Sequence, residues 1–174
     1  MNKPNSLRSH LLAHVPELAH DPDRLLTFIE NGKVRCTAAA GLSFEYEYQL
    51  QLIITDFGGH PDTVMIPLLD WLRTHQHDTL ANFDKNKDAI QFDAEILAND
   101  LVDLAITLPL SERVIVRKVD GGLQVTHPPE PQLTDHLPQQ EYTLYLDGEP
   151  AHSWQSGEPT QPEIETPHPK SPNP

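Results

Sequence analysis

The chain has 174 residues, enough for one buried core and an additional segment, and its 26 acids against 12 bases leave a formal charge of -14. That balance excludes a protein that grips phosphate backbones by charge, because such proteins displace counterions with lysine and arginine. No stretch reaches the roughly 18 to 20 apolar residues of a membrane helix, and the first dozen residues lack an apolar signal core, so the expectation is a soluble protein made in a cytoplasm. The single cysteine, Cys36, excludes an internal disulfide and any zinc site with more than one sulfur, and its alternating surroundings predict a buried thiol.

Leu7, Leu11, Leu12 and Val15 share one helical face, with Asn5 or Ser6 placed to cap a first helix that Pro16 kinks or restarts. Asp21, Pro22 and the apolar set Leu25, Leu26, Phe28 and Ile29, closed by Asn31-Gly32, predict a second helix. Residues 33 to 39 are compatible with a short strand. From Phe44 to Leu52 large residues alternate with Glu45, Glu47, Gln49 and Gln51, the period-two pattern of a half-buried strand. Residues 56 to 61 are a loop. A helix follows in which Val64, Met65, Ile66, Leu68, Leu69, Trp71 and Leu72 leave only Asp70, Arg73 and Thr74 as a polar stripe, and Pro67 is tolerable if the helix effectively starts near it.

Such a helix is central or shared with a neighbour, which makes Val64, Met65, Leu68, Leu69, Trp71 and Leu72 candidate subunit-interface residues. The segment from Asp78 to Asp88 is a polar loop. Strands are expected from Ile90 to Ile96, from Leu101 to a stop at Pro109, and from Val114 to Val119, with a hairpin at Asp120-Gly121-Gly122. Helices followed by an antiparallel meander define an α+β domain over residues 1 to 127. Beyond it, 11 of the 17 prolines and eight acids stand against one base, predicting a linker (128 to 140) and a disordered tail (155 to 174). Residues 141 to 154 form a hairpin that must dock on the domain or a neighbour, adding Tyr142, Tyr145 and Trp154 to the interface candidates.

Residues with metal or catalytic chemistry are present but do not assemble into a known pattern. His10 and His14 sit four apart on a helix, yet solvent-exposed side chains are the better reading, and His75 and His77 suit a helix C-terminus, where the dipole favours a protonated ring. Asp56 with Gly58-Gly59 is a turn without a phosphate-loop signature, and Asp84, Asn86 and Asp88 lack the glycine of a calcium loop. Asp93, Glu95, Asp100 and Asp103 leave open an alternative, a metal-dependent hydrolase or nuclease, against the plainer reading of two solvated strand faces. No serine elbow or zinc-protease motif occurs.

The N-terminal KPNSLR, the strand LSFEYEYQLQLIITDF, the helix IPLLDWLR, the hairpin LPLSERVIVRKVDGGLQVTH and a late LYLDGE with its tryptophan occur in an order and spacing that resembles the R tail-completion proteins of Peduovirus-type contractile-tailed phages and prophages. The resemblance spans roughly residues 1 to 154; Pro16 and the tail after Trp154 depart from it. It implies a structural, non-catalytic virion protein without cofactor or metal, of a fold like that of phage tail terminators. It further implies a hexameric ring on the head-proximal end of the tail tube, with tube, sheath and head-completion or connector proteins as partners. The place implied is the virion tail, assembled in the host cytoplasm, with DNA only as passing cargo and no membrane.

Overall fold

Two long strands carry the fold. β2 (Phe44–Phe57) and β4 (Val102–Val119) run antiparallel in register from Phe44 opposite Val114 to Phe57 opposite Val102. The computed structural model describes residues 1–36, 41–81, 87–97, 100–130 and 140–155; Asp84, Asn86, most of the expected linker and the acidic tail lie outside them. The architecture is α+β: helices α1 (Lys3–His14), α2 (Pro16–His20), α3 (Asp62–His75) and the short α4 (Asp78–Ala81) accompany a sheet in the order β1-β2-β4-β3, with every pairing antiparallel. β1 is Leu25–Cys36, β3 is Gln91–Ile96, and β5 (Gly122–Thr126) extends the far end of β4.

Alternation decides which face is covered. Leu50, Leu52 and Ile54 on β2 and Leu104, Ile106 and Leu108 on β4 are fully buried beneath Leu7, Leu11 and Leu18 of the first two helices and Val64, Leu68 and Leu72 of α3. Each such side chain contributes about 1.5 to 3 kcal/mol by leaving water. The opposite face, with Gln49, Gln51, Ala105 and Thr107, is half-exposed, as the polar residues of the alternating pattern require.

The segment expected as a second helix is a strand. After a single 3-10 turn (Pro22–Arg24), β1 pairs with β2 from Leu25 opposite Ile54 to Cys36 opposite Phe44. The spacing of Leu25, Leu26, Phe28 and Ile29 suits a helical face locally, but β2 offers a full edge of unpaired backbone groups that only a strand can satisfy. Asn31-Gly32 keeps its conformational preference and changes its role. Asn31 adopts φ 53°, as at a helix stop, yet here two residues oppose one across a β-bulge between Glu30 and Lys33. Cys36, expected inside, is exposed at the end of this strand.

Pro109 does not end its strand either, since β4 runs through it for 18 residues. The Ser111 N–H points away from β2, towards the Gln76 side chain, and two residues earlier the proline nitrogen lies on that same side. There β3 has already ended at Gln91 opposite Thr107, so no ladder bond is lost. In α3 the helix begins at Asp62, well before Pro67, and the buried proline is accommodated inside it. The helix loses one backbone bond and gains an apolar ring in the core.

Candidate functional site

The outer layer of α3 and the β-hairpin β6 (Glu141–Leu146) and β7 (Glu149–Gln155) make up one candidate surface. The hairpin turns through Asp147 and Gly148, both at positive φ, the conformation for which an Asp-Gly pair is suited. Inward on α3, Val64, Leu68 and Leu72 are fully buried and Trp71 is 2 % exposed, so these four expected interface residues fill the subunit's own core. The two N-terminal helices supply the cover that the sequence pattern left open. Met65 packs partly against the core, whereas Leu69 is 40 % exposed. Ile66, Leu69, Asp70 and Arg73 line one wall of a groove of about 290 Å³, and Tyr142, Leu144 and Trp154 line the other. Tyr145 faces solvent.

Trp154 is the residue that seats the hairpin. It is almost buried, edge-on to His14 at 6.1 Å between ring centres, 5.7 Å from Tyr142 and stacked with His152. His10 and His14 therefore do not stand in solvent as expected. Their rings lie 4.0 Å apart under the hairpin, and the His14 Nδ1–H donates to the His10 carbonyl at 2.6 Å. Burial pulls the His10 ring down to about 4, helped by His14 and partly opposed by the Pro67 carbonyl. His152 is lowered by burial and then by His14. His75, expected to be charged at the helix end, is instead lowered by burial; its ring stacks on Trp71 at 4.5 Å and Nδ1–H donates to the Trp71 carbonyl. Desolvation outweighs the helix dipole at this position.

A polar clamp ties the N-terminus to the sheet. The buried Glu112 carboxylate on β4 accepts the Tyr48 hydroxyl from β2 and the Asn2 backbone N–H at 2.6 Å. Gln76, also buried, accepts Lys3 Nζ at 2.7 Å and the Ser111 N–H at 3.1 Å while its amide donates to Asp78. Lys3 also pairs with Glu130 at 2.8 Å, so the first proline-rich residues after β5 are held against the helices. Sequence reasoning missed Glu112, which falls between the strand expected to stop at Pro109 and the one expected from Val114, and Gln76, which stands just past the end of α3.

The acids of the hydrolase alternative are spread along a strand pair. Glu95 stands opposite Asp103 and Asp93 opposite Ala105, on the face away from the helices. Asp103 Oδ1 accepts the Asp56 N–H at 2.7 Å, which secures a second bulge, between Ile54 and Phe57. Among the described residues no group of three or more histidine, cysteine or acidic side chains is arranged to hold a metal ion.

The sequence of this chain matches a family profile described as P2 phage tail completion protein R (GpR) over residues 1–131. The curated tail completion protein R of Escherichia phage P2 is 39 % identical over 154 residues, covering 88 % of this chain and 99 % of that protein. The chain belongs to the phage tail completion protein R family. No solved structure is significantly similar.

In this R-family chain the profile runs past β5 and ends one residue beyond Glu130, the partner of Lys3. The docked hairpin lies outside that span.

Proposed function

We propose that this chain completes the phage tail as a terminator: copies of it form a ring, with six as the expected number, on the head-proximal end of the tail tube and present a surface for head joining. The observation that carries the reading is family membership, with a tail completion protein R matched over nearly its whole length. Charge supports it physically. A subunit of formal charge -14 lets DNA pass without retaining it, which a conduit requires and a nucleic-acid binder could not tolerate. The sheath and tube proteins of the tail and the head-completion or connector proteins are its proposed neighbours. On the outside of α3, Leu69 with Ile66 and the groove towards Tyr142 offer apolar contact area for them, since Val64, Pro67, Leu68, Trp71 and Leu72 are used inside.

Electron microscopy of particles made without the protein tests the reading. Tails of irregular length, or tails left unjoined to filled heads, are expected; normal-length, head-joined tails would overturn it.

A further inference from the structure

We propose that neighbouring copies of this chain join edge to edge, with β1 of one copy pairing antiparallel with β3 of the next, Lys33 opposite Glu95 and Arg35 opposite Asp93. The inference deepens the ring reading above and rests on it. Its first support is topological. In the order β1-β2-β4-β3 every contact is antiparallel, so the two outermost strands run in opposite directions. A second copy placed beside the first therefore continues the alternation without inversion.

The backbone groups are available for it. The Ser111 N–H leaves β4 on the side away from β2, and carrying that alternation through the strand registers turns the N–H and C=O of Val34 outward on β1. By the same route those of Phe92, Ala94 and Ile96 turn outward on β3. Among the described residues β1 pairs only with β2 and β3 only with β4. Both edges expose apolar side chains as well: Val34 is 63 %, Phe92 61 % and Ile96 83 % exposed. An edge of this kind invites pairing unless something covers it.

Charge selects the partner and the register. Lys33 and Arg35 lie on the sheet face away from the helices, as do Asp93 and Glu95 on the other edge, and all four are exposed. One register places both basic residues opposite both acids, and it sets Val34 against Ala94 and Cys36 against Phe92. Arg35 lies 2.9 Å from Glu47 within its own subunit, so its guanidinium would bridge two carboxylates. Two-fold pairing of like edges meets the reverse situation: β1 against β1 sets Lys33 opposite Arg35, and β3 against β3 sets Asp93 opposite Glu95. Like charges directly opposite are destabilising, so head-to-tail joining is favoured, and a head-to-tail interface that closes makes a ring.

Cys36 provides a direct test, because its exposed thiol takes part in no disulfide. Phage lacking its own copy is complemented with the native chain and a Phe92→Cys/Cys36→Ser chain together, and purified tails are mildly oxidised and run on a non-reducing gel. Disulfide-linked dimers are expected in tails containing both chains and in neither single complementation. Tails that contain both chains and yield no dimers overturn the pairing, as do equal dimers from the native chain alone. A second arm needs no cysteine. Lys33→Glu/Arg35→Glu loses assembly, and adding Asp93→Lys/Glu95→Lys to the same chain restores it; failure to restore, with folding intact by circular dichroism, also overturns the proposal. Either failure leaves tail completion standing, since that reading falls only if particles lacking the protein have normal, joined tails.

Discussion

The Tyr48 hydroxyl donates to the buried Glu112 carboxylate, joining the middle of β2 to β4 at the point where the backbone of Asn2 also closes on the sheet. Burial and the bond to Glu112 together push the phenol above its ordinary range, so it remains a donor at every pH of interest. Tyr48→Phe removes one of the two donors seen at a carboxylate that is 5 % exposed. A loss of about 1.5 to 3 kcal/mol is expected from urea denaturation, the scale of a hydrogen bond to a charged group. An unchanged midpoint would show that water replaces the phenol.

Trp71 fills the core between α1 and α3 and donates its indole N–H to Ser6 Oγ at 3.1 Å. Trp71→Ala is expected to cost about 3 to 5 kcal/mol by leaving a cavity and an unpartnered hydroxyl. Thermal unfolding of the purified variant checks this. A variant of native stability that fails only in assembly would move Trp71 from the core to a subunit contact.

The hairpin is held chiefly by one indole. Trp154→Ala is expected to strip hydrogen-exchange protection from residues 141 to 155 while α1 and the main sheet keep theirs, because an isolated hairpin is marginal in water. Loss of protection throughout the chain would show that the hairpin belongs to the same cooperative unit.

Acid should act on this same place. His10, His75 and His152 each have a folded-state value below that of a free imidazole, so the unfolded or undocked chain binds more protons as pH falls. Stability is full above about pH 6.5 and is lost progressively as pH falls through the folded values, which reach about 4 for His10. In a Trp71→Phe background, Trp154 fluorescence is expected to report undocking between those limits, while a flat profile would show that the rings titrate without moving the hairpin. Lys3 and Asp70 also face His75, with opposite effects on its charge, so the transition should shift with salt.

The acidic proline-rich tail is expected to contribute nothing to this core. Removing residues 156 to 174 should leave the melting temperature unchanged by calorimetry, since the segment holds a single large apolar residue, Ile164. A clear drop would mean that it packs on the domain.

Period-two alternation alone determined β2, β3 and the inward face of β4, because a strand's side chains divide between faces whatever lies beyond them. The Asp-Gly pairs likewise marked both hairpins by local conformational preference. Composition marked where the apolar supply runs out, and the order of several unremarkable segments was enough to place the family. Only tertiary structure could decide the fate of Leu25 to Ile29, whose spacing fits a helix until β2 offers a full edge to pair with, and the tolerance of Pro109, which depends on which neighbouring strand has already ended. The same holds for α3. Its sequence shows an excess of apolar surface, but whether Val64, Leu68, Trp71 and Leu72 meet the subunit's own core or another subunit depends on α1 and α2, which lie dozens of residues away and cover that side. Local pattern records which residues avoid water; only the packed chain determines what replaces it.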